Sequence, residues 1–157
     1  MYQYISEEGL YPLFYFTTKH GLEYFVSFHK MNLDNTFFEK LYSIDFYEAN
    51  NQKFLSDPFI ETTITSIIND FFENNPDIVL NYVCDSVDFK QDFRQKLFDK
   101  WYRNTSNNEF SKINFKYEVE HENIIYHLSF IFKTRFYNTN EIIEEVNLQL
   151  EEFTVFK

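Results

Sequence analysis

Between residues 82 and 94 the chain reads YVCDSVDFKQDFR, a stretch that holds its single cysteine, Cys84, with Asp85, Asp88 and Asp92 and the cations Lys90 and Arg94. A thiol at a helix start becomes a nucleophile when the helix dipole or a nearby cation lowers its pKa. Two carboxylates three residues apart, here Asp85 and Asp88, chelate a divalent cation when further oxygen ligands join them. An arginine on an apolar surface anchors carboxylates or phosphates. Each feature also has a structural reading. Asp85 and Asp88 stand where the free N–H groups and positive dipole of a helix N-terminus favour carboxylates, and they would repel a phosphate there. Cys84 ends an apolar strand, and Asp85 opposes thiolate formation beside it. Caps and a small core cysteine are the expectation. No catalytic residue, metal or cofactor is assigned, and Tyr82, Cys84, Asp85, Asp88, Arg94 and Trp101 form a candidate cluster, functional or structural.

The helix that must carry this cluster runs over roughly residues 86–103. On a helical wheel Phe89, Phe93, Leu97, Phe98 and Trp101 share one broad arc, with Asp88, Asp92, Gln95 and Asp99 opposite. Arg94 falls inside the apolar arc, between Trp101 and Phe98. A guanidinium there is costly unless paired, so it is expected to stack on one of those rings or meet a carboxylate from another element. Pro76-Asp77 with Asp88-Phe89-Lys90 matches the bare pattern of the PD-(D/E)xK nucleases. Here a strand and a helix start separate the two acids, where that pattern needs a hairpin. The histidines His20, His29, His121 and His127 lack ligand-like spacing.

The remaining elements follow from periodicity. LFYFTT (13–18) and LEYFVSFHK (22–30) flank Lys19-His20-Gly21 as a hairpin, with Leu22, Tyr24, Val26 and Phe28 on one face. LYSIDFYEA (41–49) is a third strand. Asp57-Pro58 opens a helix whose Ile60, Ile64, Ile67, Ile68, Phe71 and Phe72 make one stripe, and Asn74-Asn75-Pro76 stops it. IVLNYVC (78–84) is a fourth strand. The segment KINFKYEVEHENIIYHLSFIFK forms a second hairpin, with its turn centred on Glu122-Asn123, Glu118 opposite His127, and His121 and His127 on opposite faces. One face of it is core and the other mixed. A last helix turns Ile142, Ile143, Val146 and Leu150 inward. The order β-β-β-α-β-α-β-β-α predicts an α+β fold, a mostly antiparallel sheet with helices on one face.

At 157 residues the chain is expected to be one domain, 1–157, and 21 Phe, 12 Tyr and one Trp let few elements close a dry core. A net charge of −11 argues against tracking a nucleic-acid backbone or an anionic membrane, since both need clustered cations. It suits a basic protein partner reached by electrostatic steering, or a homo-oligomer. With only Gly9 and Gly21, the chain has no glycine-rich phosphate loop and no nucleophile elbow. One cysteine excludes an internal disulfide, the first residues lack a signal-peptide pattern, and no apolar run reaches the length of a membrane span, so a reduced cytoplasm is the expected location.

The run YVCDSVDFKQDFRQKLFDKW, with the early aromatic hairpin and the helix DPFIETTITSIINDFF, resembles a family of small uncharacterised bacterial proteins, a domain of unknown function. Tyr82, Cys84, Asp85, Arg94, Leu97, Phe98 and Trp101 carry the resemblance, which implies bacterial origin and a shared fold. The leading functional expectation is a protein-binding or regulatory, accessory module, leaning away from an enzyme. The alternative is a small enzyme or small-ligand binder centred on Tyr82, Cys84, Asp85, Arg94 and Trp101. A binding module should present an open apolar or acidic patch, and an enzyme a concave pocket with converging side chains.

Overall fold

The structure, a computed structural model, describes residues 1–9, 11–50, 57–85, 91–105 and 109–155; the side chains of 84, 85, 91–93, 105 and 152–155 lie outside the described set. Strands β1 (Ile5–Glu7), β2 (Leu13–Thr17), β3 (Glu23–Lys30) and β4 (Leu41–Glu48) precede α1 (Pro58–Asn74). Then come β5 (Val79–Asp85), α2 (Gln91–Thr105), β6 (Phe110–Val119), β7 (Ile124–Lys133) and α3 (Thr139–Val155). The seven strands form one sheet in the order β1-β2-β3-β4-β5-β7-β6. Every neighbouring pair is antiparallel except β4 and β5, which run parallel and share three positions, Leu41 with Val79, Tyr42 with Leu80 and Ser43 with Asn81. A parallel pair needs a crossover, and α1 supplies it.

Side-chain alternation sorts the strands onto two faces. Tyr24, Val26 and Phe28 of β3, Ile44 and Phe46 of β4, and Leu80 and Tyr82 of β5 point to an inner face covered by α1 and α2. The stripe on α1 buries as its spacing predicts, from Ile60 to Phe72. Asp57 caps that helix by accepting from the Phe59 N–H, with Pro58 in its first turn. Gly21 takes φ 78° in the β2–β3 turn, a backbone that a side chain would strain. Tyr2 and Tyr4 strap the N-terminus to α1 through hydrogen bonds to Asp57 and Asp70.

The expected α+β class and mostly antiparallel sheet are present, with three differences. The short strand β1 precedes the expected first strand. The helices do not all share one face: Ile142 and Val146 of α3 pack with Phe38, Leu41, Val79, Phe130 and Phe132 on the outer face. The reason is that the outer sides of β5 and β7, with Val79, Phe130 and Phe132, are apolar as well and need cover of their own. The terminal hairpin is also paired two residues away from expectation, with Lys116 opposite His127 and Glu118 opposite Ile125. A short turn, Glu120–Glu122, followed by Asn123 at φ 53°, takes up four residues, and asparagine tolerates that left-handed backbone. A shift of two keeps every residue on its expected face.

Tyr24 is fully buried, opposite Glu48 across β3 and β4. Burial, the Glu48 carboxylate and more distant negative charge push its phenol up to about 12. Because the folded pKa exceeds the unfolded value of about 10, the neutral phenol adds stability that is complete below pH ~10 and lost as pH rises through ~12. Unfolding midpoints measured between pH 9 and 12 are expected to fall in that window, and Tyr24→Phe to flatten the fall; an unchanged alkaline profile would remove Tyr24 from it.

Candidate functional site

Helix α2 roofs the inner face of β5, β7 and β6. On the floor Tyr82 lies opposite Ser129, and Ser129 opposite Asn114, so three polar side chains stand in one cross-strand row. Lys112, two positions before Asn114, shares their face. From α2 come Gln95 and Asp99, on the polar side of the wheel. Together with His127 these residues line a cavity of about 180 Å³.

Two hydrogen-bonded pairs flank the phenol. The Lys112 ammonium donates to the Asp99 carboxylate and lies 5.6 Å from the Tyr82 ring centroid, while Ser129, across the strands from Tyr82, donates to Asn114 Oδ1 at 2.6 Å. The Tyr82 ring is stacked on Phe98 with centroids 3.8 Å apart, which fixes the direction of its hydroxyl. Burial raises the Tyr82 pKa against the opposing pull of Lys112 and Ser129, so the phenol is neutral at physiological pH. Burial pushes Lys112 down, but its hydrogen bond to Asp99 and the nearby Tyr82 phenol more than offset this, and the net direction is up. The ammonium therefore stays charged and is matched by one carboxylate. The site offers an oriented phenol, a hydroxyl, amides and an imidazole, able to position a carbonyl or hydroxyl group and to hold a proton at the phenol oxygen.

Of the six residues singled out in the sequence, Tyr82 is at the centre of this cavity. Trp101 is not. It is 1% exposed, stacked on Phe72, with its indole N–H donating to Asn69 Oδ1 at 2.8 Å, and it belongs to the core. Arg94 meets the carboxylate expected from another element, Asp45 of β4, with 3.4 Å to Oδ1, but the ring beside it is Phe46 of β4 at 5.4 Å to the centroid, not Trp101 or Phe98 of its own helix. Phe46 faces inward, and Asp45, one residue earlier, alternates outward. Arg94 can reach both because β4 and β5 stop pairing after Ser43 and Asn81. The Asp45 side chain is 55% exposed, so this is a half-open pair, worth about 1 kcal/mol or less, and not a buried one. The backbone register puts Cys84 opposite His127 and Asp85 opposite Tyr126. The side chains of Cys84 and Asp85, and all of Asp88, lie outside the described residues, and with them the cap and thiol expectations. Among the described residues no group of His, Cys, Asp or Glu converges to hold a metal ion, and no helix is long and apolar enough to cross a membrane.

Sequence reasoning missed Lys112, Asn114, His127 and Ser129 as site residues. Their signal was the mixed face of the terminal hairpin, where polar residues alternate with Ile113, Phe115, Leu128 and Phe130.

Comparison with known proteins adds a family and a fold. The model of DUF6169, a family of unknown function, matches residues 56–148, more than half of the chain, including α1, β5, α2, β6, β7 and the first part of α3. No curated protein matches. Among solved structures, "Crystal structure of a putative phosphinothricin N-acetyltransferase" superposes with a TM-score of 0.50 at 13% identity, covering 81% of this chain and 73% of that one. At that identity the likeness is one of fold.

Proposed function

We propose that this chain, which belongs to the family of unknown function DUF6169, binds a small polar molecule in the cavity beneath α2. The observation that carries the reading is the convergence of Tyr82, Lys112 and Asp99, drawn from three elements into one concave space. Side chains that converge from separate strands and a helix on a cavity are what a ligand site requires. Because Asp99 already balances the charge of Lys112, a ligand with an uncompensated charge gains little there. A neutral or zwitterionic molecule bearing a carbonyl or hydroxyl fits better.

The acetyltransferase-like fold supports an extension to group transfer on such a molecule. The N-cap Asp57 and the first-turn Glu61 disfavour an anionic donor group at the N-terminus of α1.

The test is thermal unfolding of the full chain against a panel of small amides, polyols and free amino acids. A true ligand at about 100 times its Kd stabilises the wild type by about 2.7 kcal/mol. Tyr82→Phe, which keeps the ring stack, and Lys112→Met should lose most of that shift. A panel without effect on the wild type, or a shift retained in both variants, would sink the reading.

A further inference from the structure

The outer face of the sheet is divided. Helix α3 and the helical turn bearing Phe37 and Phe38 cover it over β5, β7 and Leu41 at the start of β4, but among the described residues no α-helix or second strand layer packs over the rest of β1–β4. Instead, four side chains stand in one cross-strand row: Ile5 opposite Tyr15, Tyr15 opposite Phe25, and Phe25 opposite Tyr47. The rings form a ladder, with Phe25 stacked on Tyr47 at 5.3 Å and Tyr15 at 6.1 Å from Phe25. Ile5 is 57% and Tyr47 39% exposed, and the two rings between them are half-buried. Polar residues normally occupy the solvent face of an antiparallel sheet, and a contiguous aromatic row there marks an interaction surface.

The rim identifies the partner's chemistry. On the same face Glu7 lies opposite Leu13 in the row on one side, and Glu23 lies opposite Thr17 in the row on the other. Asp45 flanks Tyr47 as well, although its charge is shared with Arg94. The chain as a whole carries −11. We infer that this face docks a protein segment bearing arginine, whose guanidinium groups lie on the rings of Tyr15, Phe25 and Tyr47 while the rim carboxylates meet their charge. Arginine suits both parts, since its planar cation stacks on aromatic faces and pairs with carboxylates at once. A second copy of this chain fits poorly, because it would bring Glu7 and Glu23 against the same carboxylates.

The inference is independent of the cavity beneath α2, which opens on the opposite face. Its test is titration of the full chain with an arginine-rich peptide and a lysine-rich peptide of equal length and charge. The arginine peptide is expected to bind the wild type more tightly. The variant with Tyr15→Ser, Phe25→Ser and Tyr47→Ser, which leaves the net charge unchanged, should weaken the arginine peptide about tenfold and leave the lysine peptide nearly unaffected. Because Phe25 is half-buried, Tyr47→Ser alone, at an exposed position, provides a second variant that should lose a few-fold. Equal affinity for the two peptides, or equal loss of both on removing the rings, would reduce the effect to net charge and overturn the inference. So would a concentration-dependent dimer of the wild type that Tyr47→Ser dissolves, which would assign the face to a second copy.

Discussion

Trp101→Ala is expected to destabilise the fold by about 3–5 kcal/mol, a large part of the total stability of a domain this size. Trp101 is 1% exposed and lies where α2 meets α1, stacked on Phe72 and edge-on to Phe110, so its removal leaves a cavity bounded by two helices and an edge strand. It also strands Asn69, whose Oδ1 accepts the indole N–H. Denaturant unfolding should show a lower midpoint with an unchanged slope. Trp101→Phe, which keeps much of the ring and loses the hydrogen bond, should fall between. A variant within 1 kcal/mol of wild type would mean that α2 does not pack on α1 through this ring.

Phe98→Ala is expected to cost a similar amount, about 3–5 kcal/mol, and to do something Trp101→Ala does not. Phe98 is wholly buried and lies flat against Tyr82 at 3.8 Å. Without it the phenol loses the wall that aims it at Lys112 and Ser129, so the small-molecule stabilisation proposed for the cavity should vanish even where the variant remains folded. In a double-mutant cycle with Tyr82→Ala the pair should show a coupling of about 0.5–1.5 kcal/mol beyond burial. Zero coupling, measured by denaturant unfolding, would separate the core from the site.

Much of this architecture was legible in the chain because it depends on short-range periodicity. The stripe from Ile60 to Phe72, the Asp57-Pro58 start and the alternation of Leu22, Tyr24, Val26 and Phe28 each refer to neighbours within a few residues. What was not legible depends on three-dimensional choices. Nothing local to α3 says which face it will cover, since apolar residues need cover on both, Leu80 and Ile131 on one and Val79, Phe130 and Phe132 on the other. The hairpin register turned on the backbone of Asn123, a single residue. Within the site, Tyr82 was found because it stood in a stretch dense with functional groups. Its partners were missed because Lys112, Asn114 and Ser129 meet it only through the pairing of β5 with β7 and β7 with β6. Arg94 stood out because it breaks the apolar arc of its helix, but its partners on β4 are 48 and 49 residues away in sequence.

The parallel seam between β4 and β5, three positions long, makes the sheet mechanically uneven. On one side of it a meander of sequential hairpins, β1 to β4, zips from contacts close in sequence; on the other, β5 waits for β7, whose paired residues lie some 41 to 53 positions away. Because loop closure is costlier for distant contacts, assembly of the first half should run ahead of the second. The finished molecule is then two ladders joined at a short seam, where three backbone-paired positions are supplemented by an aromatic bridge: Phe98 of α2 touches Phe46 on one ladder and Tyr82 on the other.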